Sequence, residues 1–450
     1  MATRRWLGRA IPVKQVDTVT IANTWGAGDD ILLTINGKTI MVTIGTLTTT
    51  AQVATTLKQA WNGETFTDTT AAVDVIPAGS SFGSVVGEFA EITATVSSAV
   101  VTLTADVAGR PFTLVVTEDT AGDGTATEAT PTAATGPNFW DNVDNWTDDT
   151  VPVDGDTVVF DHGDIDLLYN LTTGIEPAVL LITQGYTGKI GNAEVNTDQA
   201  DPDLHYDEYR GKYLDLENDA GTAACAVTIG DGVGQGSGRI KLDFADCATV
   251  TVNVRNSGQR VEDSVPSILI INTATSLIAN IQKGDVGFAF FDGEAAHIAT
   301  LKVGYLDNQD ADVSLVLGDG ADTGDASIEI SGGNVFLESA TGTGAIDVNG
   351  GTLNILAGAH ADIDLERGTL VYRGTGTVTA LKMGDGAIVD FSQDERTRTV
   401  SACDVYGKVQ ILDPNNTVTW SAGIDFNHSN PKDSVIDVGF NRRLTPGAVA

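Results

Sequence analysis

Two groups of carboxylates in the sequence could supply the acid and base of a hydrolytic reaction. Asp362, Asp364 and Glu366 alternate along one segment, so a β-strand would place them on one face with neighbours about 7 Å apart. Asp243 and Asp246 form a second pair. Two acids about 5–9 Å apart are the machinery of glycoside hydrolysis. Because 61 acidic residues must produce such pairs by chance, we interpret both groups as solvated faces and expect no enzyme activity.

Cofactor and metal motifs are weak. Residues 148–156 and 317–327 form acid- and glycine-rich loops, but neither matches an EF-hand or a glycine-rich nonapeptide calcium repeat. We therefore expect no cofactor, and structural calcium is the alternative. The five histidines have no metal-ligand spacing, which argues against zinc. The glycine-rich residues 230–238 precede a strand and not a helix, so they predict a corner of the chain and not a nucleotide loop.

Charge and cysteine usage exclude several classes of protein. A formal net charge of −36 repels nucleic acid and anionic lipid, so neither is an expected partner. Cys225, Cys247 and Cys403 are too few and too scattered for a disulfide framework, which indicates buried thiols in a protein assembled in a reducing cytoplasm. No apolar run is long enough to span a membrane, and the N-terminus lacks the apolar core of a secretory signal. We expect neither a membrane anchor nor export by the Sec route.

The first 16 residues are basic, in contrast to the rest of the chain. Arg4, Arg5, Trp6 and Arg9 precede the first acidic residue. We interpret residues 1–16 as an arm that attaches the protein to a neighbouring subunit, and a frayed terminus is the alternative.

Residues 17–120 predict a small α+β domain. Two strands flank Asn36 and Gly37, a pair typical of a tight hairpin turn. Residues 48–63 carry apolar side chains at helical spacing, with threonines at the start and glycine at the end. The small and polar residues of 121–138 predict a linker.

Residues 139–223 predict a β-rich entry region that contains a long polar excursion. His205, Tyr206, Tyr209 and Tyr213 lie close together in this excursion, among many acids. Aromatic faces can stack on sugars, so these four residues are a candidate glycan-binding surface.

Residues 224–412 predict a parallel β-solenoid, which makes the whole chain mainly β. Gly333, Gly351 and Gly368 recur at intervals of 18 and 17 residues, each before a short apolar strand. Such periods are typical of solenoid coils, whose corners need glycine. A β-sandwich is the alternative. Residues 413–450 would then cap the last coil, whose strand edges are otherwise open.

Part of the chain resembles phage structural proteins. The segments RRWLGRAIPVKQVDTVTIANTWGAGDDILLTING and ADVAGRPFTLVVTEDTAGDGTAT look like a recurrent domain of tailed-phage and prophage structural proteins. NWTDDTVPVDGDTVVFD is similar to segments that open β-solenoid regions in phage and bacterial surface proteins. The resemblance covers about a third of the chain. It implies a virion component, either a head decoration protein, a head fibre or a tail-associated protein, and it carries over no catalytic residue.

These observations favour a non-enzymatic structural component of a phage virion, made in the host cytoplasm. Its N-terminal region would attach to a major capsid or tail protein, and its rigid solenoid would project. We expect a homo-oligomer, with a trimer as one arrangement, because three coils can cover one another's flanks. The alternatives are a glycan-binding or glycan-cleaving receptor protein of the tailspike type, and a bacterial surface adhesin.

Overall fold

The computed structural model describes most of the chain and shows a mainly β protein. The described residues are 1–35, 38–76, 92–119, 123–191, 212–216, 224–232, 238–244, 247, 249–256, 265–304, 313–323, 327–338, 341–427 and 429–438.

A short N-terminal strand is followed by a small separate domain. These first elements are β1 (Thr3–Arg5), β2 (Val16–Ala22), β3 (Asp30–Ile35), β4 (Lys38–Thr43), α1 (Thr50–Trp61), β5 (Ala72–Ile76), β6 (Ile92–Ser97), β7 (Val100–Ala105), β8 (Val115–Asp119) and β9 (Thr125–Thr132). The domain, β2 to β9, has two four-stranded sheets with the orders β6-β7-β2-β9 and β5-β4-β3-β8. All pairings within these sheets are antiparallel.

The strand pair and the helix that the sequence predicts for this domain are both present. β3 and β4 pair with Ile35 opposite Lys38, which is the register of a tight hairpin, although residues 36–37 themselves lie outside the described part. The helix α1 buries Val53, Leu57 and Trp61 against the sheets. The indole of Trp61 donates a hydrogen bond to the carbonyl of Ile92 at 2.9 Å. The apolar face of the helix thus joins it to β6.

The predicted linker at residues 121–138 is wrong. Residues 125–132 form β9, which pairs antiparallel with β2 along most of its length. Its alternating threonines and alanines lack bulky apolar groups, but the pattern suits an edge strand whose outer face is exposed.

The remaining strands form the parallel β-solenoid that the sequence predicts. They are β10 (Thr157–Phe160), β11 (Val179–Thr183), β12 (Leu214–Asp215), β13 (Ala224–Asp231), β14 (Ile240–Asp243), β15 (Thr249–Val254), β16 (Ile268–Ile281), β17 (Gly284–Phe288), β18 (Ala296–Val303), β19 (Val313–Leu317), β20 (Ala321–Asp322), β21 (Ser327–Ile330), β22 (Asn334–Leu337), β23 (Thr341–Val348), β24 (Thr352–Ile355), β25 (Ala359–Leu365), β26 (Thr369–Tyr372), β27 (Thr377–Met383), β28 (Ile388–Asp390), β29 (Arg398–Val405), β30 (Gln410–Leu412), β31 (Val418–Trp420), β32 (Ile424–Phe426) and β33 (Val435–Asp437). Short 3-10 helices span Val143–Asn145, Thr147–Asp149 and Pro431–Asp433.

One column of inward apolar side chains runs through the solenoid from β10 to β32. Successive coils place an apolar residue at the same register position, and burying such residues is the main favourable contribution to folding. The column consists of Val158, Leu180, Val227, Val252, Ala279, Leu301, Ile328, Ile346, Ile363, Leu381, Cys403 and Ile424.

The periodic glycines stack at one corner of the solenoid. Gly333, Gly351 and Gly368 have φ values of +84°, +74° and +94°. A Cβ atom added at Gly351 would lie 2.5 Å from the carbonyl oxygen of Gly333, and one at Gly368 would lie 2.6 Å from that of Gly351. Both the left-handed backbone and the closeness of adjacent coils therefore require glycine here.

The solenoid is longer than residues 224–412. β1 pairs in parallel with β10, so β1 belongs to the solenoid and the small domain is an insertion between these two strands. A bridge between Val13 and Thr135 closes this insertion. A three-residue strand has no sequence period, which explains why the sequence did not reveal its partner.

The C-terminal residues also differ from the predicted cap. β31 and β32 pair in parallel with β29, and β33 pairs in parallel with β30, so the solenoid extends as far as residue 437. Residues 439–450 lie outside the described part.

Candidate functional site

The predicted attachment arm is part of the solenoid. Trp6 is 1% exposed, and its indole donates to the carbonyl of Ile165 at 3.1 Å. Arg5 pairs with Asp161, and Arg9 pairs with Asp149 at 2.5 Å. Arg4, Arg5, Trp6 and Arg9 therefore contact their own chain, which corrects the expectation of a free basic arm. The positive charges of the three arginines offset acids of the first coil.

Asp156 anchors the start of the chain. Its Oδ1 atom accepts a hydrogen bond from the backbone N–H of Ala2 at 2.6 Å, and Arg4 lies 3.6 Å from its Oδ2 atom. Burial alone would raise the pKa of Asp156, but the N–H groups of Ala2 and Val153 and the charge of Arg4 together lower it. The ionised carboxylate thus stabilises the position of β1.

Aromatic side chains close this end of the core. The ring of Trp146 lies 5.2 Å from Trp6, 4.8 Å from Trp140 and 6.0 Å from Phe160, each in an edge-on arrangement. Its indole N–H donates to the carbonyl of Trp140 at 2.7 Å. Trp6 joins Trp140 and Trp146 in this cluster from the far side of the insertion.

Of the candidate glycan residues, only Tyr213 lies in the described part, and His205, Tyr206 and Tyr209 lie outside it. The Tyr213 hydroxyl is 2.5 Å from Oε1 of Glu294. The buried ammonium of Lys241 lies 4.4 Å from the centre of the Tyr213 ring. Contacts on its edge and on one face therefore hold the ring in place.

Tyr213 lines a cavity of about 750 Å³ on the side of the first coils, which we call the side groove. Pro111 of the insertion also lines it. Trp140 and Tyr169 also border it but are only 2% and 9% exposed, and the ring of Tyr169 packs 4.8 Å from Phe139. The volume is within the range of small-ligand sites, about 300–1,000 Å³.

The polar lining of the side groove is mostly acidic. Asp141, Asp215 and Asp243 contribute carboxylates, whereas Lys212 contributes an ammonium group. Asp215 and Asp243 are register neighbours on β12 and β14, so their side chains point the same way from adjacent strands about 4.8 Å apart. Thr172 bridges to Asp215 on the other side, so a row of polar groups runs along the groove.

The sequence identified Asp243 and Tyr213 but assigned them to different features. Asp246, the proposed partner of Asp243, lies outside the described residues. Asp141 and Asp215 were missed because they come from separate coils and share no local motif. The alternation of Tyr213 with Asp215 was the available signal, since it places both side chains on one face of a strand.

The other acidic group lies on an exposed face. Asp362 and Asp364 project from β25, and Glu366 follows its end. Asp364 lies in register between Asp347 and Lys382, with its Oδ2 atom 3.8 Å from the Lys382 ammonium. Partial burial raises the pKa of Asp347, and the charges of Asp364 and Glu329 raise it further. The arrangement is a ladder of surface charges.

The described residues contain no group of three or more histidine, cysteine or acidic side chains that could hold a metal ion. Of the two acidic loops, residues 148–156 bind the N-terminal strand through Asp148, Asp149 and Asp156, whereas part of the second loop lies outside the described residues. Burial raises the pKa of the Cys403 thiol to about 12 and also raises that of Cys225. Both thiols are therefore protonated and unreactive at neutral pH. Burial of the His360 imidazole lowers its pKa.

Comparison with known proteins identifies no relative. No family model matches the chain, and no curated protein or solved structure matches it either. No helix in the described residues is long and apolar enough to cross a membrane.

Proposed function

We propose that the protein is a non-enzymatic structural component of a phage virion, in which the solenoid is the projecting body. The observation that carries this proposal is the difference between the two ends. At one end, β1 pairs with β10, Trp6 packs against Trp146, and the insertion joins the chain between these strands. From there a parallel ladder continues to β33. A rigid ladder with a separate domain at one end suits a protein that attaches at that end and extends from a surface.

The insertion replaces the basic arm as the proposed attachment element. Apolar side chains are exposed near its base, with Ile11 at 80% and Val107 at 46%. The backbone N–H of Gly109 donates to the carbonyl of Val13 at 2.9 Å, which brings the two segments together. We infer that these two side chains contribute to the surface that contacts the partner. The proposed partner is a major capsid or tail protein.

The test is to locate the protein in particles. Antibodies raised against the full chain would be applied to density-purified phage particles from a culture that produces the protein. Immunoblotting and immunogold electron microscopy would detect it. We expect a constant number of copies per particle and label at one defined site. Absence of the protein from purified particles would contradict the proposal.

A pair of variants tests the attachment end. Ile11→Glu combined with Val107→Glu is expected to reduce incorporation into particles without changing the unfolding midpoint, because both side chains are exposed. The matched control is Val435→Glu on β33, where Val435 is 55% exposed at the opposite end. If the control reduces incorporation equally, attachment through the insertion is wrong.

A further inference from the structure

The aromatic side chains around the side groove are held in place by packing, with Tyr213 partly exposed and Trp140 and Tyr169 buried behind it. Trp140 packs edge-on against Trp146, and Tyr169 packs against Phe139. Tyr213 is held by Glu294 and by the ammonium of Lys241. Side chains that are fixed before a ligand arrives lose little conformational entropy on binding. The groove is therefore a preformed site.

The floor of the groove carries a row of hydrogen-bonding groups. Thr172, Asp215 and Asp243 follow one another on neighbouring coils, about 4.8 Å apart. Each carboxylate offers about four lone-pair positions, so it can accept hydrogen bonds from a ligand in addition to those within the protein. A ligand with several hydroxyl groups along its length would meet an acceptor on each coil.

The charge of the groove restricts the ligand. Asp141, Asp215 and Asp243 outnumber Lys212, and the whole chain carries a net charge of −36. This field repels anions such as phosphates and uronic acids. The lining also combines these polar groups with aromatic rings and prolines, which favours a ligand that has both hydroxyl groups and apolar faces.

We propose that the side groove binds a short neutral oligosaccharide. Its hydroxyl groups donate to Asp141, Asp215 and Asp243, and its C–H faces pack against the partly exposed ring of Tyr213. The proposal concerns binding alone and includes no bond cleavage. It does not depend on the particle attachment proposed above, because it is measured on the isolated chain.

The test is saturation-transfer NMR with the full chain. The neutral probes are cellotetraose, maltotetraose and tetra-N-acetylchitotetraose, the cationic probe is spermidine, and the anionic probe is trigalacturonate. We expect transfer to the ring protons of at least one neutral probe and none to trigalacturonate. If no neutral probe binds, or if spermidine binds in their place, the proposal is overturned.

Variants assign the binding to the groove. Thr172→Trp fills the groove from an exposed position that bridges to Asp215, and it is expected to abolish transfer. Its control is Thr419→Trp, at an exposed position on β31 near the other end. Asp141→Asn removes one exposed carboxylate and is expected to lower affinity about tenfold, whereas Asp425→Asn on β32 should have no effect. Circular dichroism establishes that each variant is folded. Binding that survives Thr172→Trp would overturn the assignment.

Discussion

The first coil of the solenoid and the later coils are stabilised by different kinds of contact. In the later coils, each strand pairs with a strand about one coil away, and Gly351 packs directly on Gly333. In the first coil, β1 pairs with β10 across the whole insertion, and Ala2 binds Asp156, which is 154 residues away. The later coils repeat the same contacts between segments that are close in sequence, whereas the first coil depends on single contacts between residues far apart in sequence.

The first coil and the later coils should therefore differ in how strongly a substitution destabilises the chain. In a solenoid, each coil contacts only its neighbours, so a defect at one corner is passed to adjacent coils alone. Among the described residues, β1 pairs with β10 alone, and aromatic side chains pack beside it. Substitutions in the aromatic cluster should therefore cost more than comparable substitutions at the opposite end.

The largest effect is expected for Trp146→Ala. Trp146 is fully buried, contacts three aromatic rings and donates to the carbonyl of Trp140. Its removal should lower the free energy of unfolding by about 3–5 kcal/mol, the usual cost of deleting a buried tryptophan. Urea unfolding followed by far-UV circular dichroism measures it. The control is Trp420→Ala on β31, which is partly exposed and should cost about 1–2 kcal/mol. Equal losses would contradict the comparison.

The next largest effect is expected at the glycine corner. Gly351→Ala should destabilise the chain by about 2–4 kcal/mol, because a left-handed residue gains a Cβ atom that overlaps the Gly333 carbonyl. Gly386 has a similar φ of +86° but open space around it. Gly386→Ala should therefore cost only about 1 kcal/mol. The difference between the two unfolding free energies isolates the contact between coils, and a difference near zero would show that backbone conformation alone accounts for the glycines.

A smaller and pH-dependent effect is expected for Asp156→Asn. The folded chain lowers the pKa of Asp156 below its usual value of 3.8, so the ionised carboxylate contributes stability above that pH. This contribution is lost as the pH falls through the lowered pKa. At pH 7 the variant should lose about 1–2 kcal/mol, and the loss should shrink below pH 4. Asp148→Asn, which alters a carboxylate that is 80% exposed, should cost about 0.5 kcal/mol or less. A loss that does not vary with pH would contradict the role of the charge.

The regular coils could be predicted from the sequence because the residues that define each coil lie close together in the chain. Each inward strand position needs an apolar residue, and each left-handed corner needs glycine. The spacing of Gly333, Gly351 and Gly368 therefore indicates the length of one coil. The hairpin and helix of the insertion were predictable for the same reason. The fold class and the solenoid follow from such patterns without knowledge of any distant contact.

The first coil and the side groove could not be predicted in the same way. β1 has three residues, and nothing in them indicates a parallel partner beyond an inserted domain. The basic residues of β1 look like a free arm until the acids that neutralise them are known. Asp141, Tyr213 and Asp243 come from different coils and meet only after the solenoid is wound.

The smallest predicted effect has the opposite sign and lies in the regular coils. Asp347 stands in register with Glu329 and Asp364, and burial together with these like charges raises its pKa above the usual 3.8. The folded state therefore holds the proton more tightly than the unfolded state, and stability falls as the pH rises through this range. Asp347→Asn should stabilise the chain at pH 7 by about 1 kcal/mol or less, the scale of a repulsive cross-strand pair. The gain should disappear at pH 3, where the carboxyl is protonated in both states. The matched control is Asp362→Asn, because Asp362 lies between Ala345 and Ala380 and has no charged register neighbour. Thermal unfolding at the two pH values measures both variants. An equal gain from Asp362→Asn would mean that general relief of the chain's negative charge, and not the stacked column, is responsible.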